Sequence, residues 1–198
     1  RPRCTGPVLV KDMGPLETDL GNLRKAVDGS SVSEAFMNAA SPGVIAQFQP
    51  NDYYPDHKSY LYALADAMKA EYDGIAKAGF IIQIDRPDLA LGRHVLFKDK
   101  SDHEFVSMIG LHIEALNHVL EEIPAEQLRL HVCWGNYQGP HHCDIEMKKI
   151  LPTVLKAKPQ ALSFEGSNPR HSHEWTVFRD IKIPEEKILI PGVLDSTT

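Results

Sequence analysis

The chain reads as an α/β protein of the (β/α)8 TIM-barrel type, incomplete over its 198 residues. Three observations predict this. Short apolar strand patterns alternate with helical patterns, which implies parallel strands joined by right-handed crossovers. The clearest strands have one apolar face and one mixed face that ends in a functional group. Leu128, Leu130 and Val132 oppose Arg129, His131 and Cys133; Phe80, Ile82 and Ile84 oppose Ile81, Gln83 and Asp85; Leu162 and Phe164 oppose Ala161, Ser163 and Glu165. A doubly wound sheet wants both faces apolar, whereas a barrel interior tolerates polar groups. Finally, the chain offers about six strands, and a full barrel usually takes ~250 residues.

In chain order, Gly6 to Val10 reads as a first strand and Leu16 to Val27 as a helix. Ser33 to Ala40 fits a shorter helix and Gly43 to Phe48 a strand. His57 to Ala78 predicts a long helix, because Leu61, Leu64, Met68, Tyr72 and Ile75 recur at helical spacing. Phe80 to Asp85 is a strand, Asp102 to Glu122 a helix and Leu128 to Cys133 a strand. Asp144 to Lys156 is a helix that Pro152 is placed to kink. Ala161 to Glu165 is a strand, Ser172 to Phe178 a short helix and Lys187 to Val193 a last strand. No linker divides this pattern. The expectation is a single catalytic barrel domain over 1–198, lacking N-terminal and C-terminal barrel strands.

A net charge of −6 without blocks of like charge argues against nucleic acid and against a basic membrane-binding face. No apolar run approaches the ~18 residues of a membrane span. Three cysteines, an odd number at no disulfide-scaffold spacing, favour a reducing cytoplasm. A homo-oligomer is compatible with all of this.

The sharpest chemical signal is His131-Val132-Cys133, followed by Glu165 at the matching end of the next strand. Residues i and i+2 of a strand share a face. An imidazole, a thiolate and a carboxylate so placed supply three ligands of a tetrahedral zinc site. The competing reading is a buried structural His and Cys, since Cys is among the most buried residue types. Cys143 is a candidate fourth ligand, though a packing cysteine is the simpler reading. Asp85, at the end of its strand, is placed to bind a substrate amine at the barrel mouth, or else to pair with Arg86. Arg170 in Asn168-Pro169-Arg170-His171-Ser172-His173 offers a bidentate fork to a carboxylate, sulfonate or phosphate. His171, His173 and His141-His142 stay open between extra ligands and ordinary loop residues. Tyr53-Tyr54 lines a pocket or packs.

Together, His131-Val132-Cys133, Gln83-Ile84-Asp85-x-Pro87 and Ser163-Phe164-Glu165 resemble the C-terminal catalytic barrel of cobalamin-independent methionine synthase. Cys133-Trp134-Gly135-Asn136 and the loop from Asn168 to Trp175 look closer to its single-barrel branch, which includes epoxyalkane:coenzyme M transferase. The resemblance implies zinc held by His131, Cys133 and Glu165, with Asp85 on the amino group of homocysteine. It implies zinc-dependent alkyl transfer from a small-molecule donor to a thiol acceptor. Alternatives are epoxide–thiol transfer, zinc hydrolysis with Glu165 or Asp85 as base, and a non-catalytic barrel remnant. Two features depart from the family pattern. The further zinc cysteine near the barrel's end has no counterpart here. After Pro191-Gly192-Val193-Leu194-Asp195, the position of a catalytic His holds Thr197, which weakens methyltetrahydrofolate as donor.

Overall fold

A computed structural model describes residues 2–136 and 138–195. Five strands form one parallel sheet in the order β1-β2-β3-β4-β5. They are β1 (Phe36–Ala40), β2 (Ile81–Asp85), β3 (Leu128–Val132), β4 (Ala161–Glu165) and β5 (Ile188–Gly192). Each strand pairs with its sequence neighbour, the order a barrel requires. Among the described residues the sheet is open, with β1 and β5 at its edges.

Helices cross from each strand to the next. α1 (Gly14–Val27) precedes the sheet. α2 (Pro42–Phe48) and α3 (His57–Lys77) link β1 to β2; α4 (Leu91–Val95) and α5 (Asp102–Val119) link β2 to β3; α6 (Met147–Val154) lies between β3 and β4. The starts of these helices are written locally. The Asp56 carboxylate accepts from Ser59 N–H at 2.7 Å. Ser101 and Glu104 form a reciprocal capping box, in which such a cap contributes about 1 kcal/mol. No helix is long and apolar enough to cross a membrane.

The apolar strand face lies against the helices. Ile82, Ile84, Leu130, Val132 and Leu162 pack there with Tyr72, Ile75, Ile109, Leu116 and Ile150, all nearly inaccessible to solvent. The opposite face, carrying Gln83, Asp85, Arg129, His131 and Glu165, is only half-buried. This separation matches the face assignment made from period-2 patterning.

Three segments differ from the sequence reading. Phe36–Ala40 is a strand although its Met and Ala residues favour helix, and Pro42–Phe48 is a helix although Val44 and Ile45 suggest a strand. Pairing of β1 with β2, Phe36 opposite Ile81 through Ala40 opposite Asp85, overrides local propensity. The helix start is signalled by Ser41, whose hydroxyl accepts from Val44 N–H at 3.1 Å, and by Pro42 in the first turn. Gly6 to Val10 forms no strand; that region joins the fold through an isolated bridge between Cys4 and Asn51. Pro152 lies inside α6.

Candidate functional site

The carboxyl ends of β2, β3 and β4 bring the expected residues together. Asp85 lies opposite His131 in the β2–β3 register. Val132 lies opposite Phe164, so Cys133 and Glu165 are the next residues of their chains at the same edge. His131, Cys133 and Glu165 line one cleft of about 400 Å³, with Asn136, Asn168 and Asp195. His131 and Cys133 also line an adjoining cavity of about 400 Å³ with Asp85 and Asn38. The β3 residues therefore form the wall between two hollows, one holding Glu165 and the other Asp85.

The electrostatics of this edge are unusual. Burial pushes the Cys133 thiol up to about 11, and the charges of Glu165 and Asp85 raise it further, although a hydrogen bond from the Gly135 backbone opposes them. Burial lowers the His131 imidazole, with Asp85 opposing, which favours the neutral, metal-ligating form. Burial raises the Glu165 carboxyl, against His171. One oxygen each of Asp85 and Glu165 is buried without a hydrogen-bond partner. Buried acceptors are normally satisfied. Two orphaned carboxylate oxygens beside a thiol and a neutral imidazole form a donor set suited to a cation, and zinc's ligand types are all present. The fit is partial: the ligand atoms of His131, Cys133 and Glu165 are not gathered within 4.8 Å of one another.

Arg170 stands apart from this cleft. It follows β4 in a loop and lines a neighbouring cavity of about 320 Å³ with His141, Asp144, His171 and Glu174. Its Nη1 is buried without a hydrogen-bond partner. Its guanidinium still acts electrostatically on Glu165. Cys143 is half-buried in the turn after His141 and does not line the 400 Å³ cleft. Tyr54 packs: it stacks on Tyr60 and its hydroxyl accepts from Val8 N–H at 2.8 Å. Thr197 lies outside the described residues.

Asp144 entered the sequence reading only as the start of a helix, which in the structure begins at Met147; instead its side chain meets two of the open histidines. Its Oδ2 lies 2.7 Å from His141 Nδ1 and 2.9 Å from His171 Nε2. The spacing of His141 and Asp144 is a weak local signal. The contact to His171 joins two loops and has none. A second unexpected network lies beneath the sheet edge. Buried Arg86 donates to both oxygens of Asp88 at 3.0 and 2.9 Å. Asp88 also meets His112 Nδ1 at 2.8 Å and accepts from Ser41 Oγ at 3.0 Å, and His112 Nε2 lies 2.8 Å from His57 Nε2. Arg86 thus pairs with Asp88, leaving Asp85 to face the cavity.

No family model matches the chain. Curated methionine synthases are similar over part of it. That of Saccharolobus solfataricus is 30% identical over 117 residues, covering 58% of this chain and 31% of the relative. That of Saccharolobus islandicus strain M.16.4 is 32% identical over 117 residues, with the same coverage. That of Pyrococcus furiosus is 31% identical over 97 residues, 48% of this chain and 25% of the relative. The chain thus matches less than a third of the length of these relatives. A solved B12-independent methionine synthase from Shewanella sp. W3-18-1, in complex with selenomethionine, has the same fold over 98% of this chain and 52% of its own, with TM-score 0.69 and 19% identity.

Proposed function

We propose that this chain carries the catalytic strands of a TIM-barrel enzyme that methylates a small-molecule thiol, the homocysteine S-methyl transfer of methionine biosynthesis. One observation carries the reading. Asp85, His131, Cys133 and Glu165 stand at the carboxyl ends of three adjacent parallel strands, where barrel enzymes keep their chemistry. The partial likeness to methionine synthases supports it.

His131, Cys133 and Glu165 would hold zinc. When bound, zinc stabilises a coordinated thiol as the thiolate at neutral pH, which a free thiol with a pKa near ~8.5 reaches only in small part. The remaining work falls to the chain. Asp85 offers an unpartnered carboxylate oxygen to the substrate ammonium group. Arg170, which lines the neighbouring cavity and not this cleft, would offer its fork there to an anionic part of the donor. The acceptor sulfur forms its bond to the methyl carbon as the donor's bond to that carbon breaks, and the electron pair leaves with the donor. We place the reaction in the cytoplasm, in keeping with three unpaired cysteines, with thiol acceptor and alkyl donor as partners and a homo-oligomer as the working assembly.

Cobalt substitution tests this. The Co2+-loaded protein should show thiolate-to-cobalt charge-transfer absorption and methylate homocysteine, and Cys133→Ser should lose both. A Cys133→Ser protein that retains thiol alkylation would sink the assignment.

A further inference from the structure

A second cluster of ligating groups lies outside the edge that carries Cys133. Among the described residues, the one group of three His, Cys, Asp or Glu ligand atoms within 4.8 Å of one another is His141, Asp144 and His171. Their side chains are more than nine-tenths buried, with 7%, 9% and 7% exposed. The Asp144 Oδ2 distances of 2.7 and 2.9 Å to the two imidazoles match the spacing of neighbouring ligands around a small cation, because bonds of ~2.0–2.1 Å at 90° to 109° separate donor atoms by about 3 Å. The other Asp144 oxygen, Oδ1, is buried without a hydrogen-bond partner.

The surroundings fix these rings as a metal site does. His171 stacks on Trp134 at 4.0 Å and 12°. Trp134 is itself held by donating from Nε1 to Ile145 O at 2.8 Å. With Nε2 of His171 turned to Asp144, Nδ1 faces Glu174 Oε1 at 3.7 Å. A carboxylate behind the non-ligating nitrogen is the usual support of a metal-bound histidine. Glu174 is anchored in turn, its Oε2 accepting from Met147 N–H at 3.0 Å. Two imidazoles and one carboxylate suit zinc or another divalent first-row cation and leave a coordination position open.

We propose that His141, Asp144 and His171 bind a divalent transition-metal cation, distinct from any metal held by Cys133. The ligands come from the loops after β3 and β4, so the cation clips these loops together beside Glu165. All three residues line the cavity of about 320 Å³ that Arg170 also lines. The inference rests on this cluster alone and stands whether or not the chain is a methyltransferase.

The test uses Cys133→Ser protein, which has lost the thiolate. Titrated with Co2+ alone, it should take up about one equivalent with visible d–d absorption and no sulfur charge transfer. Adding Asp144→Asn or His171→Gln should abolish that uptake. Glu174→Gln should weaken it roughly 10–100-fold, as loss of a support carboxylate does. Zinc should raise the melting temperature of Cys133→Ser protein in proportion to the logarithm of its concentration. Should Asp144→Asn not fold, this last measurement decides. No cobalt uptake and no zinc-dependent shift in Cys133→Ser protein, or uptake unchanged by Asp144→Asn, would overturn the proposal.

Discussion

Replacing Asp88 by Asn should destabilise the protein severely while leaving its shape nearly unchanged. Asp88 is 1% exposed and its partner Arg86 is not exposed at all. The carboxylate accepts two hydrogen bonds from Arg86 and one from Ser41, and it pairs with His112. Burial pushes the Asp88 carboxyl up, and the Arg86 charge and the His112 hydrogen bond overcome this, holding it well below the usual carboxylate range. The amide keeps the volume but not the charge, so Arg86 is left buried and uncompensated. Breaking a buried pair on one side costs about 3–5 kcal/mol. For a domain of this size each kcal/mol lowers the melting temperature by roughly 2–4 °C, so the fall should be at least about 6 °C. Urea melts near neutral pH measure the loss directly. Acid melts add a sign test. A carboxylate depressed in the folded state contributes stability above its unfolded pKa of 3.8 and loses it as pH falls through its folded value. Part of the unmodified protein's acid sensitivity should therefore vanish in Asp88→Asn. A loss under about 1 kcal/mol would refute the claim that this ion pair is closed to water.

Three further outcomes follow, two of them from the same network. A Cβ on Gly43 would lie 2.1 Å from Asp88 Oδ2 and 2.6 Å from His112 Nδ1. Gly43→Ala should thus destabilise by about 1–3 kcal/mol through overpacking. Gly21→Ala, exposed on α1 with nothing within 4 Å, should stabilise by about 0.5–1 kcal/mol; equal effects in thermal melts would contradict this. Burial first, and then His112, lowers His57 from 6.5 to about 4, with Asp56 and Asp88 opposing. The unfolded chain binds the proton more readily, so this group's contribution is full above pH 6.5 and is lost as pH falls towards 4. His57→Gln should flatten the stability profile across that window in pH-dependent urea melts; an unchanged slope would exclude His57 as its source.

Period-2 alternation was enough to assign the faces of β2, β3 and β4, because a half-buried strand must put apolar groups towards the helices wherever it lies. The same alternation put Asp85, His131, Cys133 and Glu165 at one edge. Helical spacing likewise located α3 and α5. Local pattern failed at Phe36 to Phe48, where Ala and Met in a strand and Val and Ile in a helix obey pairing with β2 and the Ser41-Pro42 start instead. It failed again in the loops. Arg170 lies beside Asp144 rather than in the cleft of His131, and His171 is held by Trp134, 37 positions earlier. The sequence by itself determined which face of each strand is chemical, since burial enforces that residue by residue. Only the tertiary structure decided which loop side chains meet, since contacts between distant segments depend on how the strands are ordered and on no local periodicity.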